Sequence, residues 1–162
     1  MTISESQKVE DFFNHYFQSE ELSEKISNIS EINILYTTWY SEINIALLNS
    51  AESFLKGMGL PKEKIKKHQV PGAFELPLAV KLLKKDSTAL SLVLGCVIKG
   101  ETPHFDFICQ SVLQSLLDLQ MEMKHPIALG LLTVASYTQA EQRTSKGREA
   151  AQAGLYQYLK LL

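Results

Sequence analysis

The segment "ALSLVLGCVI", residues 89–98, runs directly into the polar turn "KGETPHFD", residues 99–106. The first segment is apolar almost throughout, as is typical of a strand buried on both faces at the centre of a parallel sheet. The turn interrupts it, and a helical pattern of apolar residues follows at 103–123. A buried strand that leads through a short turn into a helix predicts a protein of the α/β class.

The same alternation of strand and helix continues on both sides of this segment. An amphipathic helical stretch at residues 5–27 comes first. After it we predict strands at residues 32–37, 64–70, 89–98 and 127–134, and helices at residues 42–59, 74–85, 103–123 and 137–161. Right-handed crossovers between such elements produce a three-layer α/β/α fold, whose four parallel strands take the flavodoxin-like order 2-1-3-4. We therefore divide the chain into an N-terminal helical extension, residues 1–30, and an α/β domain, residues 31–162.

The composition is that of an ordinary globular protein, and it argues against several kinds of partner. With 16 basic and 18 acidic residues the net charge is −2, so no overall field attracts nucleic acid or an anionic membrane. The first residues lack the basic and then apolar pattern of a signal peptide, so we expect a cytoplasmic protein. Cys96 and Cys109 are not spaced as metal ligands and the histidines form no ligand pair, so we expect neither a metal site nor a disulfide framework.

The carboxyl ends of the predicted strands are the expected place for a ligand, because open parallel sheets bind ligands beyond those ends. The residues that follow the four strands are 38–40, 70–75, 97–104 and 133–137. Trp39, Glu75 and His104 all fall in these segments. We therefore look for a site at this one edge of the sheet.

The turn after the third strand could hold an anion. Thr102 followed by Pro103 is typical of an N-cap residue and the first residue of a helix. The backbone N–H groups of residues 100–102, the threonine hydroxyl and the helix dipole would suit a phosphate, although a plain capped helix explains the same residues. His104 falls in the first turn of that helix and is positioned for proton transfer, although a lone histidine can equally be structural.

Three further features near that edge have two interpretations each. Trp39, the single tryptophan, could stack on a flat heterocycle or form an exposed subunit contact. Glu75 follows the turn of residues 71–73 and could face a ligand, or it could be an ordinary carboxylate in the first turn of a helix. Arg143 and Lys146 lie on the predicted final helix, where they could bind a phosphate or form a solvated face.

The predicted helix at residues 103–123 carries apolar residues on more than one stripe. A helix that covers one face of a sheet needs a single apolar stripe. We therefore expect this helix to contribute to a contact between subunits.

Two motifs, "VPGAFELPLA" at residues 70–79 and "GCVIKGETPHFDFIC" at residues 95–109, resemble those of the 6,7-dimethyl-8-ribityllumazine synthase family. The resemblance extends from about residue 32 to the end of the chain. It implies the fold predicted above and the penultimate reaction of riboflavin biosynthesis, the condensation of 5-amino-6-(ribitylamino)uracil with 3,4-dihydroxy-2-butanone 4-phosphate. The family uses no metal or redox cofactor, and this chain has no glycine-rich nucleotide-binding loop.

The resemblance also implies a role for each site residue. His104 matches the histidine assigned to proton transfer, and Glu149 matches an acidic residue that helps to orient the site. The positions implied for the pyrimidine and ribityl groups are Trp39, Ala73, Phe74, Glu75, Val97, Ile98, Lys99 and Leu129. The positions implied for the phosphate are Glu101, Thr102, Arg143 and Lys146. In the family's pentameric ring a neighbouring subunit supplies the arginine half of the pocket, so the resemblance implies a homo-oligomer built on pentamers.

This chain departs from the family pattern in three places. Leu129 stands where a phenylalanine is usual, the segment between Arg143 and Lys146 is shorter than usual, and the N-terminal stretch is longer. These departures leave two alternatives to the enzyme open, a non-catalytic lumazine or flavin binder and a shell-forming protein. The assembly above the pentamer is also open, because the shortened segment influences it in the family.

Overall fold

The computed structural model describes residues 4–162, which form four strands and seven α-helices. The strands are β1 (Glu31–Thr37), β2 (Ile65–Val70), β3 (Thr88–Ile98) and β4 (Ile127–Val134). The helices are α1 (Glu5–Phe17), α2 (Glu20–Ser27), α3 (Ser41–Gly57), α4 (Leu76–Leu83), α5 (His104–Met123), α6 (Tyr137–Glu141) and α7 (Lys146–Leu161). None of the helices in this part of the chain is both long and apolar enough to cross a membrane.

The strands form one parallel sheet in the order β2-β1-β3-β4, which confirms the predicted order. Strand β3 lies in the centre, where Leu94 pairs with Tyr36 of β1 and with Gly130 of β4. It is almost entirely buried, as its uninterrupted apolar sequence predicts. This arrangement brings the ends of β1, β2 and β3 together at one edge of the sheet.

Helices cover both faces of the sheet, so the fold is the predicted three-layer α/β/α sandwich. Alternate residues of β3 enter two separate cores, because successive side chains of a strand point to opposite faces. Leu92 and Leu94 pack with α3 and α7, whereas Val93 packs with α4 and α5.

The N-terminal helices pack on the face that carries α3 and α7. Leu22 and Ile26 of α2 are buried in the core of that face. In α1, the ring of Tyr16 lies 4.6 Å from the ring of Tyr156 of α7, and Phe17 lies 5.5 Å from Phe54 of α3. Helix α2 is therefore fixed to the sandwich by buried apolar side chains, and α1 by contacts of partly buried aromatic rings.

The long helical stretches predicted at both ends of the chain are each divided into two helices. Near the N-terminus, Ser19 has an extended backbone with ψ of 130°, which ends α1 and starts α2. Between α6 and α7, the N–H groups of Arg143 and Lys146 donate to residues three positions earlier, at 3.0 Å each, so the regular helical pattern stops there. Arg143 thus lies in a turn, and its predicted position on the final helix is wrong.

Helix α5 begins at His104, and the predicted capping role of Thr102 is wrong. Pro103 occupies the N-cap position with φ of −63° and ψ of −5°, and no side chain caps the helix. The carbonyl of Pro103 accepts hydrogen bonds from Asp106 and Phe107. The proline therefore starts the helical hydrogen bonding itself, and the threonine hydroxyl accepts no hydrogen bond from the helix.

Candidate active site

A pocket of about 450 Å³ lies at the carboxyl edge of the sheet, as the fold predicts. It is formed by the turns after β1 and β2, the end of β3 and the start of α5. Its walls include Trp39, Ala73, Phe74, Glu75, Val97, Ile98 and His104, all of which the sequence analysis singled out. Segments far apart in the chain therefore meet around one concave space, which is the usual form of a small-molecule site.

The turn after β1 presents Trp39 to this pocket. The residue is 70% exposed, and its ring lies against Gly72 of the neighbouring turn. A methyl group at Gly72 would lie 3.4 Å from Cδ1 of Trp39, an ordinary van der Waals distance, so the indole packs directly beside this turn. An exposed aromatic face at the mouth of a pocket can stack on a flat ligand.

The turn after β2 contributes Phe74 and Glu75. Residues 73–75 form a short 3-10 turn, in which the N–H of Glu75 donates to the carbonyl of Gly72 at 3.3 Å. Glu75 occupies the N-cap position of α4, and its exposed carboxylate lines the pocket. Both interpretations of Glu75 are thus compatible with its position.

His104 is the first residue of α5, and its side chain is exposed where it lines the pocket. The imidazole makes no hydrogen bond to another residue among 4–162, so both of its nitrogens remain available to a ligand. An imidazole in this position can accept a proton from a bound molecule or donate one to it.

Cys96 also lines the pocket, but it cannot act as a nucleophile near neutral pH. Burial raises the pKa of its thiol to about 11, so the thiolate is scarce. Cys109 of α5 is free and buried as well, and burial also raises the pKa of its thiol. Both cysteines are therefore small buried apolar side chains, as the sequence analysis expects.

The turn between β3 and α5 lies beside this pocket. The N–H of Lys99 donates to the carbonyl of Val134 at 2.9 Å, and its Nζ lies 6.0 Å from the ring centre of Phe105. Glu101 and Thr102 are exposed, and neither belongs to the pocket walls. The predicted anion-binding turn is thus next to the pocket but open to solvent.

A second cavity, of about 770 Å³, contains the predicted cationic group. Arg143, Lys146 and Glu149 line it together with Thr133 at the end of β4. Nη1 of Arg143 donates to the carbonyl of Gln139 at 3.1 Å, and Nζ of Lys146 lies 3.1 Å from Oε2 of Glu149. This cationic cavity and the pocket of Trp39 share no lining residue, so one chain does not bring the two predicted halves together.

Leu129 lies outside both cavities. It is on the edge strand β4 beside Val93 of β3, and the residue is 41% exposed. Like the cationic group, Leu129 therefore does not line the pocket of His104 within one described chain.

Sequence reasoning missed several residues of the pocket. Thr37, Tyr40, Gly72, Cys96 and Ile108 line it without having been singled out as site residues. Tyr40 and Gly72 could have been found from their place at the strand ends. Ile108 follows His104 by one helical turn, a spacing that places both on one face of α5.

Comparison with known proteins gives a consistent result. The family model described as 6,7-dimethyl-8-ribityllumazine synthase matches residues 30–160. A protein of that name from Parabacteroides distasonis is 38% identical over 135 residues, which cover 78% of this chain and 84% of the relative. Proteins with the same name from Bacteroides fragilis and Micrococcus luteus are 36% and 34% identical, over 75% and 80% of this chain and 89% and 84% of the relatives.

Proposed function

This chain belongs to the 6,7-dimethyl-8-ribityllumazine synthase family, and we propose that its active site combines the Trp39 pocket of one copy with the cationic cavity of a neighbouring copy. It is a transferase that condenses 5-amino-6-(ribitylamino)uracil with 3,4-dihydroxy-2-butanone 4-phosphate and releases phosphate and water. The single observation that carries the proposed site is the meeting of Trp39, Glu75 and His104 around one pocket.

The pocket of Trp39 binds the pyrimidine in this proposal. The indole stacks on the ring, because its face is exposed and held at the pocket mouth. Residues 73–75 hold the ribityl chain, and residues 97–99 contact the heterocycle chiefly through backbone groups. A pocket of about 450 Å³ is of the size that small organic ligands occupy.

His104 moves protons in this proposal. The 5-amino group attacks the ketone of the second substrate and loses water to form a Schiff base. Phosphate then leaves by elimination, and the ribitylamino nitrogen closes the second ring with loss of another water. Schiff-base formation and ring closure move protons at the two reacting nitrogens, and the elimination takes a proton from the carbon next to the imine as phosphate leaves. The unpartnered imidazole of His104 lines the pocket in which these protons are exchanged.

The phosphate is held by Arg143 and Lys146 together with Glu101 and Thr102. A guanidinium can bind two phosphate oxygens at once, and an ammonium adds a point charge. Glu149, which lies 3.1 Å from Nζ of Lys146, orients that lysine. Leu129 of the neighbouring copy adds an apolar wall to the pyrimidine pocket.

The second half of the site comes from a neighbouring copy in a homopentamer. The separation of the two cavities within one chain supports this part of the proposal. Large apolar side chains that are exposed on α4, α5 and β4 support it as well, because such side chains are usually covered in an assembly. They are Leu78, Leu82, Phe107, Leu117, Met121 and Leu129.

Two further statements belong to the proposal. Residues 1–30 form an extension to the α/β domain of residues 31–162, and the start of the family match at residue 30 supports this division. The protein is cytoplasmic, which its two free and buried cysteines support, since thiols persist in reducing compartments.

The direct test is to mix the purified protein with both substrates and to measure lumazine and phosphate together. We expect equal amounts of the two products, with turnover slowed about a hundredfold in His104→Ala, the usual size of a lost acid–base contribution. Arg143→Ala should raise the KM for the butanone phosphate. Arg148→Ala is the matched control, because Arg148 is also exposed near the start of α7 but does not line the cationic cavity. If neither lumazine nor phosphate forms from the two substrates while added lumazine binds tightly, the enzyme would be contradicted and a binding protein favoured.

A further inference from the structure

We propose that Asn44 of α3 is a positioning residue that holds Trp39 in place for the pyrimidine. Asn44 lies in the first turns of the helix, is fully buried and does not line the pocket. The inference rests on the proposed function, because it assumes that the Trp39 pocket binds the pyrimidine.

The amide of Asn44 joins the two residues on either side of Thr38. Its Nδ2 donates to the carbonyl of Thr37 at 2.7 Å and to the carbonyl of Trp39 at 2.6 Å. It also lies 2.9 Å from Oγ1 of Thr37. The bond to Trp39 is the only side-chain hydrogen bond that the tryptophan backbone makes within residues 4–162. One buried amide therefore determines where the carbonyl of Trp39 points.

The chemistry of this contact requires a donor. Oδ1 of Asn44 has no hydrogen-bond partner among the described residues, whereas Nδ2 faces two carbonyl oxygens. The reversed amide would set its oxygen against both carbonyls, so the amide is fixed in this orientation. An acceptor or an apolar side chain at this position would leave both carbonyls without that donor in a buried place.

The turn needs such support because its own backbone does not favour this shape. Tyr40 has a positive φ of 58°, which costs free energy for a residue with a side chain. On the other side, Thr38 is tied to the end of β2 by its N–H and its hydroxyl, each 3.0 Å from the carbonyl of Val70. Trp39 lies between these points with its ring mostly in solvent. The placement of its ring therefore depends on the backbone that Asn44 holds.

A ligand binds more tightly to an indole ring that is already held in place, because the ring then loses no conformational freedom on binding. Loss of the Asn44 amide should therefore weaken pyrimidine binding and leave the phosphate side unchanged. A residue with only a structural role would lower stability and leave both KM values as they are.

The test compares Asn44→Ala with Asn33→Ala. Asn33 of β1 is also buried, and its Nδ2 donates to the carbonyl of Leu83 at 3.0 Å. It lies near the other end of the strand, so its loss should lower the melting temperature without reaching the pocket. We expect Asn44→Ala to raise the KM for the pyrimidine about tenfold, the loss of one stacking contact, while the KM for the butanone phosphate changes less than about twofold.

Trp39 supplies a second readout, because it is the only tryptophan of the chain. Quenching of its fluorescence by added 6,7-dimethyl-8-ribityllumazine gives a Kd, which should rise by the same factor of about ten in Asn44→Ala and stay unchanged in Asn33→Ala. If Asn44→Ala does not fold, Asn44→Ser retains one hydroxyl donor and should show a smaller shift in the same direction.

The outcomes separate this inference from the proposed function. Wild-type values for the pyrimidine KM and for quenching in Asn44→Ala would overturn the positioning role while leaving the enzyme intact. A wild-type protein that binds lumazine through Trp39 but forms none would overturn the catalytic site, and the shift in Kd would still support Asn44. A protein that neither forms nor binds lumazine would overturn both.

Discussion

Gly147, in the first turn of α7, is where the cationic half of the site is fixed to the rest of the fold. The glycine is buried, and a methyl group added to it would overlap the carbonyl of Leu47 in α3. The neighbouring N–H of Arg148 donates to the hydroxyl of Ser50, at 3.2 Å. The two helix backbones are therefore in contact here, and Gly147→Ala must push α7 away from α3.

The expected cost follows from two opposing contributions. Alanine is better than glycine inside a helix by about 1 kcal/mol. Overpacking typically costs about 1–3 kcal/mol, and the upper end applies because the obstacle is backbone and not a flexible side chain. The net loss is about 2 kcal/mol, which lowers the melting temperature of a chain of this size by about 4–8 °C.

Gly57→Ala is the matched control for this substitution. Gly57 ends α3, and a methyl group added there would meet no atom within 4 Å. The same change should therefore raise stability by about 0.5 kcal/mol, through the smaller freedom of the unfolded chain. Thermal unfolding of the two variants should shift in opposite directions. Equal melting temperatures for both would refute the close approach of α7 to α3.

Two other predictions concern the pocket and the sheet. Gly72→Ala should raise the KM for the pyrimidine about threefold, since the new methyl would lie 3.3 Å from Oε2 of Glu75 and displace that carboxylate slightly, whereas its distance of 3.4 Å from Trp39 is an ordinary contact. Unchanged steady-state kinetics would contradict a contact between the Glu75 carboxylate and the pyrimidine substrate. Burial, helped by the charge of Lys84, lowers the pKa of His125 to about 4. As the pH falls, His125 of the unfolded chain, with its ordinary pKa of about 6.5, is protonated before His125 of the folded chain. The free energy of unfolding should therefore fall by about 3 kcal/mol between pH 6.5 and pH 4. Urea unfolding across this range should show the loss, and a His125→Asn variant should show less of it.

Much of the fold could be predicted from the sequence, because the signals involved are local. The apolar run of β3 and the alternation of strands with helices were sufficient for the strand order and for the edge that carries the pocket. The division of the final helix was missed, because it depends on hydrogen bonds between residues three positions apart around Arg143. Thr102 before Pro103 has the pattern of a helix cap, yet the proline carbonyl starts the helix.

The site could be predicted only in part, for two physical reasons. Asn44 carries no pattern of its own in the sequence, since its role comes from two carbonyls that converge on it after folding. Leu129 and Arg143 do not line the pocket of His104 within a single chain. Only the resemblance to the family could therefore assign these two residues to the site. The family match at residues 30–160 supports the reaction, while the meeting of the two halves stays a prediction.

Complementation between two impaired variants tests directly whether the active site is shared between neighbouring copies. His104→Ala and Arg143→Ala are co-expressed, and the mixed assembly is assayed at a butanone phosphate concentration below its KM. If one copy supplies His104 and its neighbour Arg143, about one site in four regains both residues, so roughly a quarter of the wild-type activity should return. Activity that stays at the level of the two single variants would contradict a site shared between copies.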